Sequence, residues 1–348
     1  MIYWTKTGHY FSFDGTNTFL KGVNICPTPT DRGWDTMWIN YDSVAIGEKL
    51  AYLGTDYLSD VNVIRTMMDV PNGSIEPQRL YDNFDDFLEK AKGYGVYVIL
   101  NLLAWTLPDT TSVTGSKGNI SATEAWDRIY HFIDRFKNDN RILAWQLRNE
   151  WMNAVQSDAG GFSLITANHV DKITPWLKSL YDNIKAIDSN HLVSTGGNTP
   201  ELWQKAALAT NEAISDYNDF IELHVYPSGA GTKPPRQYMQ STRSISIPYL
   251  KQYLFNKGLN LADMPFTIGE TGLETISNGE AEQYKWGSEL VKYMSWEDIQ
   301  GLFWWSLQDQ KSSIKFGLLD NNGNKREVYN WYKNWQINLV REEQADGK

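Results

Sequence analysis

Eight short apolar runs recur along the chain, each separated from the next by a longer stretch of mixed character. They are FLKGVN (19–24), VNVIRTMMD (61–69), VYVILNLL (96–103), ILAWQLRNE (142–150), HLVSTGGN (191–198), FIELHVYP (220–227), PFTIGETG (265–272) and GLFWWSLQD (301–309). Each is short and β-branched or aromatic, the pattern of parallel strands covered on both faces. Between them apolar positions recur with helical period. LYDNFDDFLEKAKGYG sets Leu80, Phe84, Phe87, Leu88 and Ala91 on one face and ends in Gly93 and Gly95. TEAWDRIYHFIDRFKND does the same with Trp126, Ile129, Tyr130, Ile133 and Phe136. VDKITPWLKSLYDNIKAID, EAEQYKWGSELVKYM and EVYNWYKNWQINLV read similarly, with Pro175 expected to kink or restart the first. Ahead of the first run, Tyr10, Phe11 and Phe13 precede a turn at Asp14-Gly15, and Thr18, Phe19 and Leu20 follow it, which predicts a hairpin. The segment 228–247, with Pro234-Pro235, reads as a loop, and REEQADGK at 341–348 as a frayed tail.

Eight β-then-α units with no Gly/Ser linker predict one α/β domain over residues 1–348: a closed (β/α)8 TIM barrel with an N-terminal hairpin at 1–18. A doubly wound open sheet would carry a glycine-rich phosphate turn after its first strand, and GVNICPTP is not one.

Composition narrows the function. The 32 Lys and Arg against 42 Asp and Glu give a net charge of −10, which argues against nucleic acid and anionic membranes as partners. A single cysteine, Cys26, excludes an intrachain disulfide and a cysteine metal cluster. No run approaches the ~18–20 apolar residues of a membrane span. MIYWTKTGHYFSFDG does not read as a signal peptide, so the expectation is a soluble monomer that acts inside the cell or has lost a leader. The 15 Trp, 19 Tyr and 13 Phe exceed what a core needs and favour an amphipathic ligand that stacks on rings, such as a sugar.

In such a barrel the C-terminal strand ends carry the active site. The polar residues there are Asn24, Arg65, Asn101, Asn149 and Glu150, Asn198, His224 and Tyr226, Glu270, and Trp305, with Gln308 and Asp309 just beyond. Glu150 and Glu270, at the ends of strands four and seven, would face each other across the mouth. Paired carboxylates flanking a bond are what glycoside hydrolysis requires, one protonated to release the leaving oxygen and one ionised to attack carbon or activate water. Arg65 is expected to lower the pKa of one, with burial and mutual repulsion raising the other.

The sequence resembles the clan of (β/α)8 retaining glycosidases that includes glycoside hydrolase family 5, the cellulase and mannanase family, over nearly the whole chain. The carrying motifs are LRNE at 147–150, FTIGETG at 266–272, HVY at 224–226, VIRT at 63–66 and FWWSLQD at 303–309. The resemblance implies Glu150 as acid/base, Glu270 as nucleophile and Asn149 on the sugar 2-hydroxyl. It also implies Arg65 and Tyr226 on Glu270, His224 supporting the acid/base or the sugar, and Trp305, rather than Trp304, as the platform under the sugar. Two positions depart from the cellulase pattern: Leu103 stands where strand three usually ends in histidine, leaving Asn101, and Trp151 replaces the proline after Asn-Glu. Parts of the pattern are also similar to β-mannanases and to the barrels of family 2 exo-glycosidases.

Each residue also has a plainer reading: Glu150 a solvated helix cap, Glu270 a helix-start residue, Arg65 a buried ion pair, His224 a core histidine. Trp34, Trp38, Trp105 and Trp151 follow strand ends and are read together as the floor of a cleft, the alternative being packing within loops. Trp126, Trp331 and Trp335 are read as core, and Glu222, on the side of its strand that carries His224, as a supporting residue. The expected activity is double-displacement hydrolysis of a β-1,4-glucan or β-mannan in endo mode, without cofactor or metal. An exo-acting β-glycosidase is the enzymatic alternative, and a non-catalytic carbohydrate-binding barrel the alternative of another class.

Overall fold

The computed structural model describes residues 1–25, 36–69, 76–115, 117–209, 214–227, 234–240, 246–256, 264–294, 298–310 and 314–335. The eight apolar runs form eight parallel strands: Leu20–Asn24, Val63–Met67, Tyr97–Asn101, Ile142–Gln146, Leu192–Ser194, Ile221–Val225, Phe266–Thr271 and Ile299–Trp304. These are barrel strands one to eight below. Strands one to five pair in chain order, as do six to eight, and strand eight returns to strand one. Between strands five and six one bridge, Asn198 with Leu223, continues the ring, so the barrel is nearly closed.

The helices lie where the helical period places them. Residues 77–93 bury Leu80, Phe84, Phe87, Leu88 and Ala91, the face the sequence predicts. Residues 122–136 start at Ser121, whose hydroxyl accepts the Glu124 N–H at 3.1 Å. Its buried face is rotated slightly from the predicted one: Ala125 and Phe132 are buried, while Trp126 and Tyr130 are half-buried. Pro175 opens the helix 174–187 in its first turn, where its missing N–H costs nothing, so it starts the helix rather than kinking it. Helices 280–294 and 327–334 complete the predicted set. Others appear that the sequence reading left unassigned, among them 43–50, 151–158, 200–209, 247–256 and the short 235–239 inside the predicted loop. The predicted tail at 341–348 lies outside the described residues.

The predicted hairpin is real, with Asp14 at φ 50° and Gly15 at φ 74° in its turn, but a further strand, Trp4–Thr7, pairs on its other side. This small sheet inserts Trp4 and Phe11 into one end of the barrel interior, against Leu20, Val63, Ile99, Leu143, Phe220 and Phe303. That end is apolar and packed. The polar residues of the chain's motifs collect at the opposite end, where the strands finish.

Candidate active site

Glu270, near the end of strand seven, is only 4% exposed. Its carboxylate accepts one hydrogen bond from Arg65 Nη1 at 2.7 Å and another from the Tyr226 hydroxyl at 3.0 Å. Arg65, fully buried on strand two, spreads its remaining donors to Asn24 Oδ1 at 3.0 Å, Gln146 Oε1 at 2.9 Å and Asn149 Oδ1 at 2.9 Å. One guanidinium thereby ties together strands one, two, four and seven. A register shift between Leu223 and His224 sets His224 opposite Glu270 on the neighbouring strand.

Glu150 takes a left-handed backbone, φ 46° and ψ 47°, at the start of the helix Trp151–Asp158. A residue with a side chain enters that region at a cost of roughly 1–2 kcal/mol. Its side chain does not cap the helix, which removes the plainer reading of this glutamate. Instead one oxygen faces His224 Nδ1 at 2.8 Å and the other accepts from Asn153 Nδ2 at 2.7 Å. Asn198 braces the same turn by accepting the Met152 N–H at 2.9 Å. His224 is the hinge of the cluster: Nδ1 also lies 3.4 Å from Glu270, and Nε2 lies 3.1 Å from Glu222.

Three carboxylates thus face two cationic groups. Burial alone would lower the pKa of His224, but the charge of Glu270 and the hydrogen bonds to Glu150 and Glu222 push it up to about 9. Burial would raise the carboxyl of Glu150, yet the hydrogen bond and charge of His224 hold it below its usual range. Burial pushes Glu270 above that range, against the opposing charges of His224 and Arg65. The sequence reading expected Arg65 to lower one of the pair and burial with mutual repulsion to raise the other. Arg65 does pull Glu270 down, but burial outweighs it, and it is His224 that holds Glu150 low.

A pocket of about 350 Å³ opens over the pair, lined by Glu150, Glu270, Asn149, Tyr226, Trp105 and Trp305, with Met67, Gln310 and Phe316 among its other walls. Trp305 faces the pocket, whereas Trp304 is buried and donates its Nε1–H to Phe316 O at 2.9 Å. Two predicted cleft tryptophans are placed elsewhere. Trp38 is buried, donates to Met67 O at 2.9 Å and stacks on Tyr41. Trp151 is fully buried, edge-on to Trp203. Both serve the packing behind the site rather than its floor, and Trp34 lies outside the described residues. Asn101 is buried below the rim, its amide without a hydrogen-bond partner among the described residues. Gln146, Met67, Asn153 and Gln310 are site residues that the sequence reading missed. Only Gln146 carried a signal: it is a polar side chain inside an apolar strand, four residues before Glu150.

Glu150, His224 and Glu270 each bring a donor atom within 4.8 Å of the others, a spacing that can hold a cation. A histidine ligand must be neutral, and the neighbours of this one favour its protonated form.

A (β/α)8 barrel with two glutamates meeting at the C-terminal rim, walled by tryptophans, has the architecture of a glycoside hydrolase. The chain belongs to the cellulase family, glycosyl hydrolase family 5, whose family model matches residues 16–311. Among solved structures it resembles the exo-β-1,4-mannosidase Op5Man5 from Opitutaceae bacterium strain TAV5, with a TM-score of 0.68 at 15% identity, covering 94% of this chain and 60% of that one. The β-D-glucuronidase of Dictyoglomus thermophilum follows at TM-score 0.64 and 16% identity, covering 96% and 53%. A family 39 glycoside hydrolase from Bacteroides cellulosilyticus WH2 gives TM-score 0.61 and 16% identity, covering 90% and 62%. The chain therefore spans between about half and three-fifths of the length of these structures, and at these identities the likeness is one of fold. No curated protein sequence matches. Among the described residues no helix is long and apolar enough to cross a membrane.

Proposed function

We propose that this chain hydrolyses β-glycosidic bonds with retention of configuration, Glu270 acting as nucleophile and Glu150 as acid/base. The observation that carries the reading is the distance between the two glutamates, whose facing oxygens lie within 4.8 Å. Retaining enzymes hold their carboxyl groups about 5–5.5 Å apart, while inversion needs about 6.5–9.5 Å to admit a water. Arg65 and Tyr226 each give Glu270 a hydrogen bond that favours its ionised form. Glu270 attacks the anomeric carbon as Glu150 protonates the departing oxygen. Glu150 then takes a proton from the water that releases the glycosyl group. Asn149, held by Arg65 and lining the pocket, is placed for the sugar 2-hydroxyl, and Trp305 and Trp105 for the C–H faces of the ring.

The substrate is a β-1,4-linked glucan or mannan, cut in endo mode. The exo alternative draws support from the similar Opitutaceae protein, an exo-β-1,4-mannosidase. Proton NMR of the first product from an aryl β-glycoside tests the mechanism: the β-anomer appears first, and initial α-product would refute retention. Product lengths from a defined oligosaccharide separate endo from exo cleavage.

A further inference from the structure

Glu222 touches none of the reacting atoms, yet its surroundings are built around it. It lies on strand six with 0% exposure. One carboxylate oxygen is 3.0 Å from Arg65 Nε and 3.1 Å from His224 Nε2, and the other accepts from Gln146 Nε2. Two glycines leave the room for this arrangement. A Cβ on Gly269 would fall 2.0 Å from the Glu222 carboxyl carbon, and one on Gly197 would fall 1.9 Å from His224 Nε2.

The consequence falls on His224, whose two ring nitrogens both meet carboxylates: Glu150 and Glu270 at Nδ1, Glu222 at Nε2. A neutral imidazole has one N–H, so one nitrogen would present a lone pair to a carboxylate oxygen. With all three carboxylates ionised, only the doubly protonated ring satisfies both sides. We propose that Glu222 is a positioning residue that keeps His224 an imidazolium and so stores, 2.8 Å from Glu150, the proton that the acid step consumes. This rests on the double-displacement reading.

The groups facing the imidazole are consistent with that charge. Its own strand contributes Glu222 and Tyr226, the turn after strand four Glu150, and strand seven Glu270. Arg65 on strand two pairs with Glu222 and Glu270 from behind, and Arg148 couples to Glu150 from beyond. The anionic neighbours outweigh burial, which alone would favour the neutral ring.

The proton balance closes. His224 passes its Nδ1 proton to Glu150, which gives it to the glycosidic oxygen as the old C–O bond breaks and the bond to Glu270 forms. His224 is left neutral, with Nε2–H on Glu222. In the second half-reaction Glu150 removes a proton from water as the new C–O bond forms and the ester to Glu270 breaks, and that proton returns to Nδ1. One water is consumed and no net proton.

Two measurements test this. Nitrogen-15 NMR of the wild-type histidines, with His224 assigned by its loss in His224→Gln, should find both ring nitrogens protonated at pH 7. A neutral single-tautomer ring at pH 7 overturns the proposal, whether or not any variant folds. The pH profile of kcat/KM on an aryl β-glycoside should then lose its alkaline limb early in Glu222→Gln, by about one unit or more. Glu222→Asp, which keeps the charge, should hold the limb near its wild-type position at a reduced rate. An active Glu222→Gln whose limb does not move leaves Glu222 a purely structural residue and also overturns the proposal. Absence of hydrolysis by the wild type would instead count against the activity, with the NMR titration still deciding the state of His224.

Discussion

Glu270 receives one hydrogen bond from a cation and one from a hydroxyl, and the two contributions separate by mutation. Removing the carboxylate itself, in Glu270→Ala, should cost about 10⁴-fold or more in kcat, the scale of losing a covalent catalyst. Azide entering the vacated space should restore turnover and give an α-glycosyl azide. Unimpaired Glu270→Ala would end the assignment. Tyr226→Phe removes one hydrogen bond to a charged group, worth about 1.5–3 kcal/mol, and should slow kcat by roughly tenfold to a hundredfold with the fold intact. An unchanged kcat would mean that the 3.0 Å contact does not persist during turnover. Glu150 and Glu270 were legible in the sequence because each closes an apolar strand, one behind Asn149 and the other inside a Gly-flanked motif. The loop tryptophans were not. Trp38, Trp105 and Trp151 all follow strand ends, and sequence carries no sign of whether such a ring turns toward the cleft or toward the helices behind it. Only Trp105 faces the pocket, and Asp69 fixes its backbone by accepting the Trp105 N–H at 2.7 Å.

Strand six presses a polar side chain against the backbone of strand seven, and Gly269 shows it. Gly269→Ala would press a methyl into the Glu222 carboxyl. It should destabilise by about 1–3 kcal/mol, as overpacking of a filled interior does, and should also displace the Arg65 and His224 contacts. Gly93→Ala, by contrast, meets nothing within 4 Å at the end of the helix 77–93, and should be neutral or stabilising by up to about 1 kcal/mol. Urea midpoints of the two variants check the pair, and equal losses would contradict it. Gly95, at φ 72°, carries the left-handed turn after that helix, so of the two glycines the sequence marked, only the second terminates it conformationally. All eight strands could be read because a buried parallel strand is apolar throughout. The helix 247–256 buries Ile247, Leu250 and Leu254 at helical spacing, a signal passed over because it adjoins the stretch read as a loop. Helix 43–50 also carried a signal: Asp42 accepts the Val44 and Ala45 N–H groups at 3.0 Å each, an N-cap readable in advance.

At the level of the whole barrel, charge is buried at one end and apolar packing at the other, so pH acts on stability chiefly through the rim. His224 has its pKa raised in the fold to about 9, from an unfolded value near 6.5. A group raised on folding contributes stability that is complete below its unfolded pKa and is lost as pH climbs to its folded one. The melting temperature should therefore decline across about pH 6.5–9, and His224→Gln should show a shallower decline there. Carboxylates act at the other extreme. Asp158, whose bonds to Lys172 and Ser112 outweigh burial, is lowered to about 2, so its contribution is present above an unfolded value of ~3.9 and is lost as pH falls toward 2. Glu270, raised by burial, works in the opposite sense, favouring the fold below its unfolded value of ~4.3 and losing that contribution as pH rises. Calorimetric melting curves of wild type and His224→Gln from pH 3 to 10 distinguish these contributions. Parallel curves between pH 6.5 and 9 would mean that the imidazole gains no proton affinity on folding. The rim charges would then have to be balanced by protons held on the carboxylates instead.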